Sequence, residues 1–350
     1  MSPPKRIVNM GYTLKLDIYY FTLKKIEEET TRRIRGEQRV VYLTEKDECV
    51  LGDFVNTLSV EKIDDVNYMK VFLEDFINGF NASFKPNKNN TQAMSVTTDQ
   101  FKGYDSNDYT VWGIFKGGAT GIEYDVYQSN DATIPTSKVA GDSVTSLYYF
   151  YKIWVPIDSN VGILMVQSYT NTGCSTLFKE QLGNYFISNG YKAEWSKCIP
   201  NEYIEKFLKD GYISEIQVIH SKRDENRPLN PVFSPFIYAK RRSIFSRFKI
   251  PFKDFISVVN YKNVLKSQIK AIDTDYDETQ DKVKLFYIDA EGKRANATLA
   301  NIDNILPTIT LDDSLKENNS QLPKWDDLHE YTKGMLNDIK KQISYTPQLR

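Results

Sequence analysis

The most informative stretch of the sequence is residues 161–199, which read VGILMVQSYTNTGCSTLFKEQLGNYFISNGYKAEWSKCI. It begins with a short, nearly continuous apolar run at 161–169, which is typical of a strand covered on both faces. Apolar residues at helical spacing follow, and Gly190 can end that helix before the extended segment at 192–199. The order strand, helix, strand has the dimensions of a βαβ unit, so we expect a central βαβ-containing layer here.

The region upstream of this stretch is rich in β-formers. Residues 12–23 and 40–43 are expected to form strands, and the charged segment between them a solvated hairpin tip or short exposed helix. Residues 64–80 carry apolar side chains at helical spacing, which predicts one helix. The glycine-rich segment GIFKGGAT, 113–120, lacks the lysine and the following helix of a phosphate-binding loop, so we expect a hairpin turn there.

The region downstream is interrupted at 221–236, a charged segment that contains three prolines. Proline cannot continue a helix or a central strand, so we expect a boundary there between two regions, 1–225 and 226–350.

The second region should contain three elements: a helix around 251–271, a hairpin within 281–299 and a last helix near 324–343. The fold class expected for the chain is mixed, α/β or α+β. It has a β-rich N-terminal region, the central βαβ-containing layer and a C-terminal α+β portion.

The composition is that of a soluble globular protein, with 350 residues, 41% hydrophobic, 26% charged and a net charge of -1. These values exclude collagen-like, coiled-coil and globally disordered chains. The three cysteines are far apart and there are two histidines, so we expect neither a disulfide framework nor a metal site rich in these residues. No catalytic residue, metal or cofactor is therefore expected.

The expected location is the cytoplasm. The first twenty residues lack the apolar run of a secretory signal, and the longest uncharged stretch, 159–178, contains too many polar residues to cross a membrane.

The strongest compositional signal lies at 221–253, where nine bases face two acids, a balance of +7, and aromatic residues are interleaved with the bases. Cations that neutralise phosphates beside aromatic rings that stack on bases suit a nucleic-acid surface. The residues expected to bind are Lys240, Arg241, Arg242, Arg247 and Lys249 for phosphates, with Tyr238, Phe245 and Phe248 for stacking. Alternatively, this segment faces the chain's own acidic stretch, 273–330, which has a balance of -8, or a partner protein.

Two weaker patterns leave enzymatic alternatives open. Glu291 and Lys293 resemble the last element of the PD-(D/E)XK nuclease motif, with Asp273 or Asp277 as the partner acid for a divalent metal. Cys174 stands at a predicted helix start, which would lower the pKa of its thiol.

The sequence therefore predicts a cytoplasmic, non-enzymatic, nucleic-acid-associated protein, for which a bacterial accessory or antiviral defence-type role would fit. The alternatives are a magnesium-dependent nuclease and a scaffold protein that binds a protein partner or itself through its aromatic-rich strands. DNA and RNA are both open as ligands, and no membrane association is expected.

Overall fold

The structure, a computed structural model, describes fourteen stretches of the chain. They are residues 12–34, 37–60, 63–80, 82–96, 101–170, 172–201, 212–220, 240–245, 250–251, 261–277, 281–288, 294–299, 309–317 and 320–346.

The described helices are α1 (Leu51–Asn56), α2 (Tyr68–Asn78), α3 (Ser175–Ser188), α4 (Tyr261–Ile272) and α5 (Trp325–Gln342). The described strands are β1 (Leu14–Ile34), β2 (Glu37–Thr44), β3 (Lys85–Pro86), β4 (Gln92–Val96), β5 (Lys102–Asp105), β6 (Thr110–Ala119), β7 (Tyr124–Val126), β8 (Ser137–Val139), β9 (Thr145–Trp154), β10 (Gly162–Tyr169), β11 (Tyr191–Lys197), β12 (Tyr212–His220), β13 (Lys240–Phe245), β14 (Ile250–Pro251), β15 (Lys282–Ile288), β16 (Arg294–Thr298) and β17 (Ile309–Thr310).

The fold is mixed α+β, as expected, and it is dominated by a large antiparallel sheet. The order of its described strands is β11-β1-β10-β9-β6-β4-β3, and β2 and β17 also pair with β1, whereas β5 pairs with β6. Strands β10 and β11 both run antiparallel to β1, which lies between them. The strand–helix–strand segment found in the sequence therefore does not place its two strands side by side.

The core of this part of the chain is aromatic. Strand β10 is buried along its whole length, in agreement with its continuous apolar sequence. Helices α2 and α3 pack their apolar faces on the sheet, so that Phe76 lies 6.0 Å from Phe178 and 6.1 Å from Tyr151, measured between ring centroids. Rings at such distances and at steep angles add specific contacts to the burial of apolar area.

Several elements expected from the sequence are confirmed. Helices α2 and α5 fall within the stretches predicted as helices, and β15 and β16 form the predicted hairpin, with Ile288 opposite Arg294. Helix α4 covers the end of the helix expected at 251–271, and residues 252–260 lie outside the described part of the chain.

One local expectation is confirmed in one of its two forms, and another is wrong. The charged segment after residue 23 is the solvated end of a hairpin and not a helix, because β1 and β2 pair from Ile26 to Ile34 and form a long two-stranded arm. The glycine-rich segment is not a turn, because its residues 113–119 lie inside β6 and pair with β9. A Cβ at Gly118 would come within 1.8 Å of the Thr145 carbonyl oxygen, so glycine permits a close backbone approach there.

The contacts divide the chain into two compact units. Unit 1 comprises Met1–Cys198 and Thr308–Arg350, and unit 2 comprises Ile199–Pro307. This division differs from the boundary expected between 225 and 226. The chain returns to unit 1 through β17, which pairs with β1 and is too short to have a recognisable pattern.

Unit 2 contains an antiparallel sheet in the order β13-β12-β15-β16, and β14 also pairs with β12. Buried residues of β12 and β15 form one apolar cluster with residues of α4, among them Ile216, Leu285, Leu265 and Ile269. This packing gives the sheet an inner face, which meets α4, and an outer face, which carries the alternate residues of each strand.

Candidate nucleic-acid interface

The residues expected to bind nucleic acid fall partly within the described chain. Four of the eight lie on β13, at one end of the strand order of the unit 2 sheet, namely Lys240, Arg241, Arg242 and Phe245. The other four lie outside the described residues, namely Tyr238, Arg247, Phe248 and Lys249.

The outer face of the unit 2 sheet carries basic and aromatic side chains that the sequence analysis missed. Along β15, Val283 and Leu285 are buried, whereas Lys282 is exposed and Lys284 and Phe286 are partly exposed. This alternation places both lysines and the ring on the face opposite the apolar cluster. The sequence KVKLFYI, 282–288, begins with lysines that alternate with apolar residues, and this alternation predicts a strand with one basic face.

The strand register connects this face with the basic edge strand. Ile219 of β12 lies opposite Lys282 of β15 on one side and opposite Arg241 of β13 on the other. Directly opposed residues of an antiparallel sheet are neighbours on one face. Lys282, Ile219 and Arg241 therefore occupy neighbouring positions on β15, β12 and β13. This row connects Lys282 with the segment that the sequence predicts to bind nucleic acid.

Arg294 of β16 extends the outer face toward the hairpin. Its guanidinium carbon lies 5.2 Å from the centre of the Phe286 ring, a cation–π distance, and one of its nitrogens donates to Glu215 at 3.0 Å. Because Arg294 remains largely exposed, this pair is weak and the guanidinium can exchange partners. The described outer face thus carries three bases and one acid.

The inner side of unit 2 holds a buried charge cluster. His220, at the end of β12, has Nδ1 at 2.9 Å from Asp281 Oδ2 and Nε2 at 3.1 Å from Asp273 Oδ2. Both carboxylates are fully buried, so removal of the imidazole would leave charges without their partner in the core. The cluster fastens the loop after α4 to the sheet.

This cluster bears on the nuclease alternative. Asp273, one candidate acid for a metal, is held by His220, and Glu291 and Lys293 lie outside the described residues. Among the residues that the structure describes, no group of three or more His, Cys, Asp or Glu side chains could hold a metal ion.

The suggestion that the helix start lowers the pKa of the Cys174 thiol is contradicted by the structure. The residue does precede α3, but its side chain is buried, and burial raises the pKa of the thiol to about 11. Desolvation of the thiolate is the main cause, and the hydrogen bond with the Tyr149 side chain opposes it only in part.

Comparisons of the chain with protein-family models, with curated proteins and with solved structures found no match. Within the described residues, no helix is both long and apolar enough to cross a membrane.

Proposed function

We propose that this protein binds nucleic acid without catalysing a reaction on it, through the outer face of the unit 2 sheet and the adjacent strand β13. The observation that carries the proposal is the alternation along β15, which presents Lys282, Lys284 and Phe286 together on the face away from the core.

The charge of this face supports a phosphate ligand. Lys282, Lys284 and Arg294 outnumber Glu215, and the strand register adds the position of Arg241 on β13 to this face. Lys240 and Arg242 lie opposite His220 and Val218, at positions that alternate with Arg241 along the same strand. Bases that neutralise phosphates release counterions, which gives binding that weakens steeply with salt. A net charge near zero for the whole chain means that the attraction must come from such a local patch.

The aromatic contribution is the Phe286 ring, which is partly exposed and has the Arg294 guanidinium beside it. Planar groups of this kind stack on nucleic-acid bases whose faces are accessible, and stacking tolerates any base. The proposed surface therefore combines phosphate contacts with stacking. We assign no residue to hydrogen bonds with base edges, so the proposal includes no sequence specificity.

The test is binding to labelled single- and double-stranded DNA and RNA over a salt series, with and without magnesium. We expect the double variant Lys282→Ala, Lys284→Ala to lower the slope of log affinity against log salt by about 2. Phe286→Leu should weaken binding by about tenfold while keeping the slope. A triple alanine variant at Lys240, Arg241 and Arg242 tests the predicted segment.

The matched control is Lys70→Ala, Lys102→Ala, which removes two exposed lysines from unit 1. Equal losses in the control and in the Lys282, Lys284 variant would contradict the proposed surface. Magnesium-dependent shortening of the label would favour the nuclease, and no binding at low salt would leave the protein-interaction role.

The proposal includes a cytoplasmic location, where nucleic acid is accessible and thiols stay reduced. A bacterial accessory or antiviral defence-type role remains a prediction within it, as does association with a protein partner or with a second copy.

A further inference from the structure

Unit 1 contains a surface cleft that the proposed nucleic-acid function does not use. It lies between strand β2 of the two-stranded arm, helix α3 and strand β11, and its volume is about 440 Å³. This volume is within the range of small-ligand sites.

The cleft is basic. Its lining includes three lysines, Lys88, Lys179 and Lys192, and one acid, Glu180. Glu180 Oε1 accepts a hydrogen bond from the Lys88 backbone amide at 3.0 Å, which fixes that carboxylate at one edge. The net side-chain charge of the lining favours an anionic ligand.

The lysines differ in how firmly they are held. Lys179 Nζ lies 3.9 Å from the centre of the Tyr19 ring, close enough for a cation–π contact that orients its ammonium. Lys192, on β11, forms no ion pair with any residue in the described stretches. An incoming carboxylate would therefore find the Lys179 ammonium already oriented. It could also bind the Lys192 ammonium without first breaking an ion pair.

The remaining lining is mostly apolar. Val40 and Val41 come from the arm, Ile187 from α3, and Ala193 from β11. Val40 is 48% exposed, so a ligand that covers its side chain would remove apolar surface from water. Tyr42 and Trp195 add two aromatic rings, so the walls offer both aliphatic and aromatic contacts to an apolar side chain. A peptide carries separate carboxylates with apolar side chains between them, so its acids can contact the lysines and avoid the Glu180 carboxylate. The continuous negative charge of a phosphodiester backbone fits this mixed lining less well.

We propose that this cleft binds a short peptide segment of a partner protein in which acidic residues flank an aliphatic one. The lysines receive the acidic side chains, and the wall formed by Val40 and Ile187 receives the aliphatic one. This site is independent of the nucleic-acid surface, because none of its lining residues belongs to unit 2.

The test uses the full chain and a set of short labelled peptides in which glutamates surround a leucine at different positions. Companion sets replace glutamate by glutamine or leucine by alanine, and an oligonucleotide serves as a second polyanion. We expect the glutamate–leucine set to bind with micromolar affinity, and the glutamine and alanine sets to bind at least tenfold more weakly.

The variant Lys88→Glu, Lys192→Glu should weaken binding of the acidic peptides by at least tenfold. The control Lys70→Glu, Lys102→Glu reverses two exposed lysines that line a different depression and should leave binding unchanged. Val40→Ser, a change of an exposed side chain, should weaken binding of the leucine peptides and leave the alanine peptides unaffected.

Two outcomes would overturn the proposal. The first is that the glutamate–leucine set binds no better than its glutamine counterpart. The second is that the oligonucleotide, rather than the peptides, loses binding in the Lys88, Lys192 variant. The proposed nucleic-acid surface is judged separately, because its affinity depends on Lys282 and Lys284.

Discussion

At the scale of single residues, Lys152 is buried although a lysine is normally exposed. It lies in β9 among residues that read as an apolar strand, and its side chain is 2% exposed. Its Nζ donates to the His329 carbonyl oxygen at 2.8 Å. Burial lowers the pKa of Lys152 to about 7, against the attraction of Asp108 and Glu330.

This shift makes stability depend on pH. The unfolded lysine has a pKa of 10.5, so between about pH 7 and pH 10 the unfolded chain binds a proton that the folded chain does not. Stability should therefore rise with pH across this window and lose that gain as pH falls. The Lys152→Met variant should lack this contribution, which amounts to about 2 to 4 kcal/mol.

Denaturant unfolding of wild type and Lys152→Met at pH 7 to pH 10 measures the difference directly. The variant should be the more stable at pH 7, because the His329 carbonyl still accepts from Thr332 Oγ1 at 2.9 Å. Lys102→Met, at an exposed lysine, is the control and should follow wild type. A constant difference between Lys152→Met and wild type over the window would contradict the assignment.

The environment of a single residue can be predicted from the sequence only when the residues around it are its neighbours along the chain. The sequence singled out Cys174 correctly as lying just before a helix, but the buried surroundings that raise its pKa come from distant strands. The same holds for His220, whose partners Asp273 and Asp281 follow it by more than fifty positions. Long-range burial and pairing leave no local pattern to recognise.

At the scale of secondary-structure elements, hydrophobic periodicity located helices and strands well. Helices α2 and α5 have apolar residues at helical spacing, and β10 has a continuous apolar run, so their patterns identify them. The outer face of β15 was equally readable in principle, since Lys282, Lys284 and Phe286 alternate with apolar residues. The charge of 221–253 is a stronger compositional signal, and it lies in another part of the same unit.

The glycine-rich segment misled the interpretation because glycine has two uses. It permits turns, but it also permits close approach between neighbouring chains. In β6 the second use applies: a Cβ on Gly113 would lie 2.8 Å from the Tyr151 hydroxyl, and one on Gly118 would strike backbone atoms of Thr145.

Gly118→Ala should therefore destabilise unit 1 by about 1 to 3 kcal/mol, because the obstructing atoms belong to the backbone of β9 and cannot rotate away. The measurement is the free energy of unfolding from urea denaturation. Gly334→Ala is the matched control: nothing lies within 4 Å of its added Cβ, inside α5, and it should be stabilising by up to about 1 kcal/mol. Equal effects of the two changes would show that crowding in β6 is absent.

At the scale of the whole molecule, unit 2 is inserted between two strands, β11 and β17, that pair with neighbouring parts of β1. Strand β11 runs along β1 until Lys197 lies opposite Tyr19, and the Cys198 amide then donates to the Ile18 carbonyl oxygen at 2.8 Å. Strand β17 resumes the same line, with Ile309 opposite Leu16. One position on β1, Asp17, separates the two points. Prolines indicate where regular secondary structure is interrupted, but they do not indicate where the chain returns from unit 2 to the sheet of unit 1.

This register predicts that unit 2 can be removed. Deletion of Ile199–Pro307 joins Cys198 to Thr308 and places Thr308 opposite Asp17, so β11 and β17 become one uninterrupted strand. We expect the shortened chain to fold and unfold cooperatively, since the aromatic core and α5 are retained. It should lose the nucleic-acid binding that depends on Lys282 and keep the binding of acidic peptides in the cleft.

Thermal unfolding followed by circular dichroism, together with solution mass, tests this expectation. The informative comparison is a chain ended at residue 225, the boundary that the prolines indicate. That chain lacks β17 and α5, so the sheet residues that contact α5, including Lys152, lose their cover. It should aggregate or unfold without cooperativity. If it folds while the deletion of Ile199–Pro307 does not, the division of the chain into a discontinuous unit 1 and an inserted unit 2 is wrong.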